Sequence, residues 1–160
     1  MKKIVLMLLT FVLTLGLSGC SFLDPVDPVI DSLPDYKSEA FYSSGVFQDF
    51  TDYAKYSYDS ITPKDFDDSK YFNVTTAEDI KEILLHIKNF EEWVELADDE
   101  LKENYDFDKT LVSEGDFFYI ETKAGEPIGI DQETYGKFDD YTVYYFDIDT
   151  QTLYYFHNNI

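Results

Sequence analysis

Two groups of closely spaced acidic side chains are the first candidates for chemistry in this chain. Asp65, Asp67 and Asp68 form one group, and Asp147 and Asp149 form the other. Carboxylate oxygens at such spacing can bind calcium, but neither group has the central glycine and terminal glutamate of an EF-hand loop. Aspartates beside a tight turn are more simply turn residues. We therefore expect no metal at either group.

The two histidines, His86 and His157, are far apart in the sequence. A zinc site draws several ligands from cysteine, histidine and carboxylate side chains, which two separated histidines do not supply. The chain also has no Gly-x-Ser-x-Gly element and no glycine-rich phosphate loop, the local signatures of serine hydrolases and of nucleotide-binding proteins. We expect no catalytic residue, no metal and no cofactor.

The N-terminal segment is the most informative part of the chain. Lys2 and Lys3 precede an almost wholly apolar run over 4–17. This run has about 14 residues, fewer than the roughly 20 that a helix needs to cross a bilayer. A basic start, an apolar core and small residues are the layout of an export signal. The segment ends in four residues that include the only cysteine: Leu17, Ser18, Gly19 and Cys20.

These four residues resemble the lipobox of bacterial lipoprotein precursors, a resemblance that covers residues 1–20 only. It implies that the signal peptidase of that family recognises Leu17, Ser18 and Gly19. It also implies that Cys20 carries a diacylglyceryl group and becomes the first residue of the mature protein. Two acyl chains make a durable membrane anchor. The expected location is the extracytoplasmic face of a bacterial cell membrane.

The resemblance divides the chain into three parts. Residues 1–19 form the signal peptide, and 20–38 form a lipidated tether with three prolines that favour extended backbone. Residues 39–160 are long enough for one globular domain. Because Cys20 is the only cysteine, the domain has no disulfide and depends on its core alone.

The charge of the mature chain restricts its partners. Of 12 basic residues, Lys2 and Lys3 leave with the signal, so 10 remain against 33 acidic ones, a balance of −23. All basic residues are lysine. Proteins that bind nucleic acid or anionic headgroups present basic surfaces, so we expect no nucleic acid, and membrane contact only through the lipid on Cys20. The 14 tyrosines and 14 phenylalanines nevertheless indicate a folded core.

In the first half of the domain the sequence pattern does not clearly distinguish helix from strand, except in one segment that clearly predicts a helix. Phe41 and Tyr42 could begin a strand that turns at 43–45. Over 46–58 the three-to-four-residue spacing of aromatic residues favours a helix, although aromatic residues are also typical of strands. Thr75 and Glu78 have capping-box spacing, and an apolar stripe predicts a helix over 76–97. The stripe consists of Ile80, Ile83, Leu84, Ile87, Phe90 and Val94.

The remainder of the domain is predicted to be mainly sheet. Strands are expected over 117–123, 141–148 and 152–157, with a long loop over 124–140. The strand 141–148 is apolar on both faces and should be central and covered. We predict an α+β fold: a mainly antiparallel sheet of three or four strands, packed against one main helix and one or two shorter helices.

Two further features suggest binding. Five rings could stack on sugar, although most rings must belong to the core: Tyr53, Tyr56, Trp93, Tyr135 and Tyr141. The acidic segment 91–100 could dock a basic partner, although such a segment is more often a solvated helix face. We expect a cell-envelope lipoprotein that acts as a non-catalytic binding or accessory module for a protein or a cell-wall glycan. The alternative is an envelope hydrolase, for example glycan-acting, that uses acidic side chains.

Replacing the only thiol tests the lipid anchor. We predict that Cys20→Ser leaves an unlipidated precursor, because a hydroxyl replaces the sulfur to which the diacylglyceryl group would be attached. Mass spectrometry of the N-terminal peptide measures the lipid directly. A mature wild-type chain without lipid mass at its N-terminus would contradict the interpretation.

Overall fold

The computed structural model describes residues 27–46, 49–67, 69–123 and 138–160. The chain divides into two compact units, Met1–Asp31 and Ser32–Ile160. In the described part of the first unit, the Asp27 carboxylate accepts hydrogen bonds from the backbone N–H groups of Val29 and Ile30, at 2.9 and 3.3 Å. The predicted boundary between signal and tether lies outside the described residues, so it stays a prediction.

The second unit is an α+β fold, as predicted, with one fully antiparallel sheet. Its described residues form six strands in the order β1-β2-β6-β5-β4-β3. The expectation of three or four strands was wrong, because β2 was read as helix and the short β3 was missed. The strands are β1 (Ser38–Val46), β2 (Asp49–Ser57), β3 (Asn73–Val74), β4 (Phe117–Thr122), β5 (Asp140–Asp147) and β6 (Thr152–Asn159).

Three α-helices accompany the sheet in the described part of the chain: α1 (Pro63–Asp67), α2 (Asp79–Val94) and α3 (Asp99–Asn104). The long helix α2 confirms the main predicted helix, but it begins later than residue 76 because its N-terminal turn differs. Glu78 makes no side-chain cap. Instead, the Asp79 carboxylate accepts from the backbone N–H and the hydroxyl of Thr76, at 2.9 and 2.6 Å. The side-chain contact at the start of α2 is thus displaced by one residue from Thr75 and Glu78, and it is not reciprocal, because the Asp79 N–H donates to the Thr76 backbone carbonyl.

The segment predicted as helix over 46–58 is mostly strand β2, and that prediction was wrong. Tyr53 points to one face of the sheet, whereas Ala54 and Tyr56 lie on the other, and all three are buried. A strand covered on both faces can carry apolar residues at spacings that resemble a helical pattern. The predicted turn at 43–45 was also wrong, because these residues continue β1.

The first face of the sheet packs against α2. Inward-facing residues of α2 meet the rings of the central strands, with Phe90 and Phe156 ring centroids 5.4 Å apart. Phe107, after α3, extends this contact at 5.0 Å from Phe156. Edge-to-face ring packing of this kind adds to the stabilisation from apolar burial. The fully buried members are Tyr53, Ile83, Ile87, Phe90, Leu101, Val143, Tyr145 and Phe156.

The second face is covered at one end by α1 and nearby rings. Phe66 of α1 stacks on Phe117 with centroids 3.8 Å apart and meets Phe146 edge-on at 5.1 Å. Tyr58 packs on the same Phe146 at 5.5 Å. Because both faces are covered, Tyr141 to Asp147 of β5 are all buried, which confirms the predicted central strand.

The turn between β5 and β6 is built on Asp147. Its carboxylate accepts from the backbone N–H groups of Asp149 and Thr150 and from the Thr150 hydroxyl, at 2.9, 3.3 and 2.7 Å. Gln151 has a positive φ of 56°, a conformation that tight hairpin turns commonly require. The predicted hairpin is therefore confirmed, with Asp147 as a turn residue.

Buried tyrosines tie the sheet to its surroundings through their hydroxyl groups. Tyr53 donates to the Asp106 carboxylate at 2.9 Å, and the Tyr141 hydroxyl lies 3.0 Å from Asn89 Oδ1 on α2. Burial is the main cause that raises the pKa of four tyrosines well above the ordinary 10.0. The four are Tyr53, Tyr105, Tyr141 and Tyr145.

These tyrosines predict loss of stability in alkali. A raised pKa keeps the phenol protonated in the folded state, whereas the unfolded phenol ionises near pH 10, so stability is full below pH 10 and falls above it. We expect the four phenols to ionise together with unfolding. Phenolate absorbance and far-UV circular dichroism, followed against pH, should change in one transition.

The denatured chain is the control, because all 14 tyrosines should then titrate near the ordinary value. Complete ionisation of the tyrosines with unchanged circular dichroism would contradict the prediction.

Candidate functional site

Two neighbouring rows of side chains run across the strands on the second face of the sheet. Both rows lie beyond the end of that face that Phe66 covers. Residues directly opposite in paired strands share a face of the sheet. The register therefore places five polar residues side by side in a polar row: Ser43, Asp52, His157, Thr142 and Glu121. It places the adjacent aromatic row next to it: Phe41, Ala54, Tyr155, Tyr144 and Tyr119.

His157 lies at the centre of the polar row between two carboxylates. Its Nδ1 is 3.5 Å from Asp52 Oδ2, and its Nε2 is 3.7 Å from Asp140 Oδ1. These distances are within ion-pair range but longer than good hydrogen bonds. Phe50 meets the imidazole edge-on at 4.9 Å and Tyr155 at 6.1 Å. Three strands, β2, β5 and β6, thus position one imidazole between acidic and aromatic neighbours.

Asp52 has a buried oxygen without a partner. The residue is 8% exposed, and its Oδ1 has no hydrogen-bond partner among the described residues. His157 Nε2 is likewise buried without a hydrogen bond there. An unsatisfied buried carboxylate oxygen costs free energy, so Asp52 is an unusual position in this sheet.

Asp116 shows what a structural carboxylate looks like in the same fold. It is 2% exposed, and it accepts from the Ser113 hydroxyl at 2.7 Å and from the Ile148 N–H at 3.1 Å. The Tyr145 hydroxyl also hydrogen-bonds to it. Asp116 therefore joins the β4 and β5 ends, with both of its oxygens satisfied, in contrast to Asp52.

The aromatic row continues beyond the sheet edge. Ring centroids are 5.3 Å apart for Tyr144 and Tyr155, 5.9 Å for Tyr119 and Tyr144, and 5.4 Å for Tyr71 and Tyr119. Tyr144 is buried, whereas Tyr71, Tyr119 and Tyr155 are partly exposed. Phe41, at the other end of the row, is 50% exposed. The buried Tyr144 and Ala54 therefore interrupt the exposed part of the row, and Tyr144 meets Tyr155 edge-on at 69°.

One member of each acidic group singled out in the sequence, Asp65 and Asp147, accepts hydrogen bonds at a helix start or a turn. Hydrogen bonds from Thr62 hold the pKa of Asp65 below its usual range, which is typical of a helix N-terminus. Asp147 holds the hairpin turn, and Asp68 lies outside the described residues. Within the ranges that the structure describes, no three or more histidine, cysteine and acidic side chains group so as to hold a metal.

The other sequence candidates are dispersed. His86 is fully buried in α2, with its ring 5.1 Å from that of Tyr141, and it does not approach the polar row. In the acidic segment 91–100, Glu91 pairs with Lys109 at 2.7 Å. Asp98 caps α3 by accepting from the Leu101 N–H at 3.1 Å.

Five rings were considered as a possible sugar surface, although most were expected in the core. Tyr53, Tyr56 and Tyr141 are buried, as expected for core residues. Trp93 is partly exposed, and Tyr135 lies outside the described residues. The four lipobox residues also lie outside them: Leu17, Ser18, Gly19 and Cys20. No helix of the described residues is long and apolar enough to cross a membrane.

The sequence alone predicts which residues of one strand share a face, and this is part of what defines the two rows. Alternation along a strand puts Tyr155 and His157 on one face, and Tyr144 on the same face as Thr142. The contact between Asp52 and His157 could not be predicted from the sequence. It depends on the pairing of β2 with β6, and these strands are distant in sequence.

The chain was also compared with known proteins. No protein-family model, no curated protein and no solved structure matches it.

Two matched substitutions compare how much the carboxylates of Asp116 and Asp52 contribute to the stability of the fold. We predict that Asp116→Asn lowers the free energy of unfolding by about 2 kcal/mol or more, because charge-assisted hydrogen bonds weaken. Asp52→Asn should lower it by less than Asp116→Asn does, because Asp52 Oδ1 has no hydrogen bond to lose among the described residues. Urea denaturation followed by tyrosine and tryptophan fluorescence measures both values. Equal losses in the two variants would show that Asp52 is also a structural residue.

Proposed function

We propose that this chain is a lipid-anchored binding or accessory module on the extracytoplasmic face of a bacterial cell membrane, and that it is not a catalyst. The anchor is supported by the sequence, in which Lys2 and Lys3, the apolar run and the lipobox residues occur in order. Cys20 carries the lipid. The tether keeps the domain near the membrane and raises its effective concentration toward envelope components.

The observation that carries the binding assignment is the pair of rows on the second face. The Oδ1 of Asp52 is buried and has no hydrogen-bond partner among the described residues. Binding sites commonly combine apolar and aromatic surface with a few placed polar groups. Asp52, His157 and Asp140 supply polar groups, and Tyr155 and Tyr119 supply rings beside them.

A glycan-acting hydrolase is the second candidate, and one observation favours it. Two carboxylates, those of Asp52 and Asp140, approach the same imidazole, and pairs of carboxylates perform glycoside hydrolysis. The two candidates differ in outcome, because a binding module returns its ligand intact whereas a hydrolase shortens it.

Retention of the full-length protein by the insoluble wall fraction of the host envelope tests the binding assignment. We predict that Asp52→Asn combined with Tyr155→Ala weakens retention about tenfold or more, because a charge-assisted contact and a stacking surface are both lost. The matched control is Asp59→Asn combined with Tyr36→Ala. Asp59 pairs with Lys37 at 2.8 Å, and Tyr36 packs on Tyr56 at 5.0 Å, so neither control residue belongs to the polar row or the aromatic row.

The control should be retained like wild type. Wild type that is not retained, or retention that is equal in all three proteins, would contradict the assignment. Release of shortened glycan by wild type would favour the hydrolase.

A further inference from the structure

We propose that two copies of this chain pair edge to edge through β1, antiparallel and around a two-fold axis close to Phe41. The pairing goes beyond the proposed function, because it uses the backbone at the outer edge of the sheet and depends neither on a wall ligand nor on the lipid anchor. It is supported by an open strand edge, by the small charge of that strand and by the shortness of the opposite edge.

The outer edge of β1 exposes backbone groups without a partner strand. The Tyr58 N–H donates to the Gln151 carbonyl at 2.9 Å, and hydrogen-bonded pairs alternate along an antiparallel ladder. Even-numbered residues of β2 therefore bond to β6 and odd-numbered ones to β1. The same alternation turns the N–H and C=O groups of Glu39, Phe41 and Ser43 outward. All three residues are exposed, and within the described residues the β1 backbone is hydrogen-bonded to β2 alone.

This edge has none of the usual protection against pairing. Edge strands are commonly short, or carry lysine or proline, because an open edge is a template for another strand. β1 has nine residues and neither lysine nor proline, and Phe41 is 50% exposed. The opposite edge is shorter, since β3 has two residues and 119–122 of β4 extend beyond it. A two-fold contact between identical β1 edges uses both of them, so it closes as a dimer.

The charge distribution favours a second copy at this edge. The mature chain has a balance of −23, so two copies repel each other in most orientations. Glu39 is the single charged residue of β1. When Phe41 lies opposite Phe41 of the second copy, Glu39 lies opposite Ser43, so no like charges face each other across the strands. A basic segment would gain little here, because the strand offers it one carboxylate.

The same register also covers the exposed ring. The two Phe41 side chains come to lie beside each other on the second face, and each loses surface to water, which stabilises the contact. The outward backbone groups of Glu39, Phe41 and Ser43 then receive the hydrogen bonds of a regular antiparallel ladder. The six-stranded sheet thereby continues into the sheet of the second copy.

Single cysteine substitutions along β1 test this pairing in the purified full-length protein in detergent micelles. The protein is oxidised with copper phenanthroline, and disulfide-linked dimer is measured by non-reducing electrophoresis. A disulfide needs Cα atoms within about 7 Å, so only residues close to the axis can bond to their own copies. We expect Phe41→Cys or Tyr42→Cys to give at least about tenfold more dimer than Ser38→Cys or Ser44→Cys, whose copies lie roughly 13 Å or more apart.

Matched controls exclude chance collisions. Wild type measures the background, because its only cysteine is Cys20. Asn73→Cys is exposed on the opposite edge strand and should remain at background. Adding Phe41→Lys to Tyr42→Cys should lower the dimer yield about tenfold, because two ammonium groups then meet near the axis. The same change at Leu85, an exposed residue of α2, should leave it unchanged, and circular dichroism of each variant checks that the fold is retained.

Salt and the position of the cross-link decide the outcome. The dimer yield should rise with salt, because repulsion between two acidic chains is screened, and a yield that falls with salt would overturn the pairing. Background yield at both Phe41→Cys and Tyr42→Cys would also overturn it, as would equal yields at Ser44→Cys and Asn73→Cys. Wall retention is measured separately, so failure of the dimer leaves the proposed function standing.

Discussion

Large side chains on both faces of the central strands are the constraint on which this fold depends. Tyr141 to Asp147 are all buried, so each face of β5 needs cover. Helix α2 covers the first face, and α1 with Tyr58 covers one end of the second. This arrangement explains how a chain with no possible disulfide and a large negative charge can still hold a core, because ring burial supplies the stabilisation.

Local patterns were readable from the sequence, whereas pairings between distant strands were not. The stripe of α2 and the strand 141–148 were predicted because helix and strand periodicities are local. Strand β2 was mistaken for helix because Tyr53, Ala54 and Tyr56 fill both faces, which removes the alternation that identifies a half-buried strand. At the start of α2 the side-chain contact is made by Thr76 and Asp79 and not by Thr75 and Glu78.

The candidate site was less predictable than the fold for the same reason. His157 was a candidate from the sequence because it is one of two histidines. Its neighbours Asp52 and Asp140 come from the strands on either side of β6. The contrast between Asp52 and Asp116 became visible only through their hydrogen bonds. A buried group that the fold leaves unsatisfied is typical of functional positions, where proteins give up stability for another purpose.

The position of β6 also bears on how quickly the chain can fold. It follows every other described strand in the sequence, yet it lies between β2 and β5, and Tyr53 must meet Phe156 across most of the domain's length. Such distant pairings slow folding, because loop-closure entropy is lost before the contacts form. Until β6 inserts, the β1–β2 hairpin and the three strands β3, β4 and β5 have no shared edge. Before β6 inserts, the edges of β2 and β5 are unpaired, and these edges are where the incomplete sheet is most prone to pair with other chains.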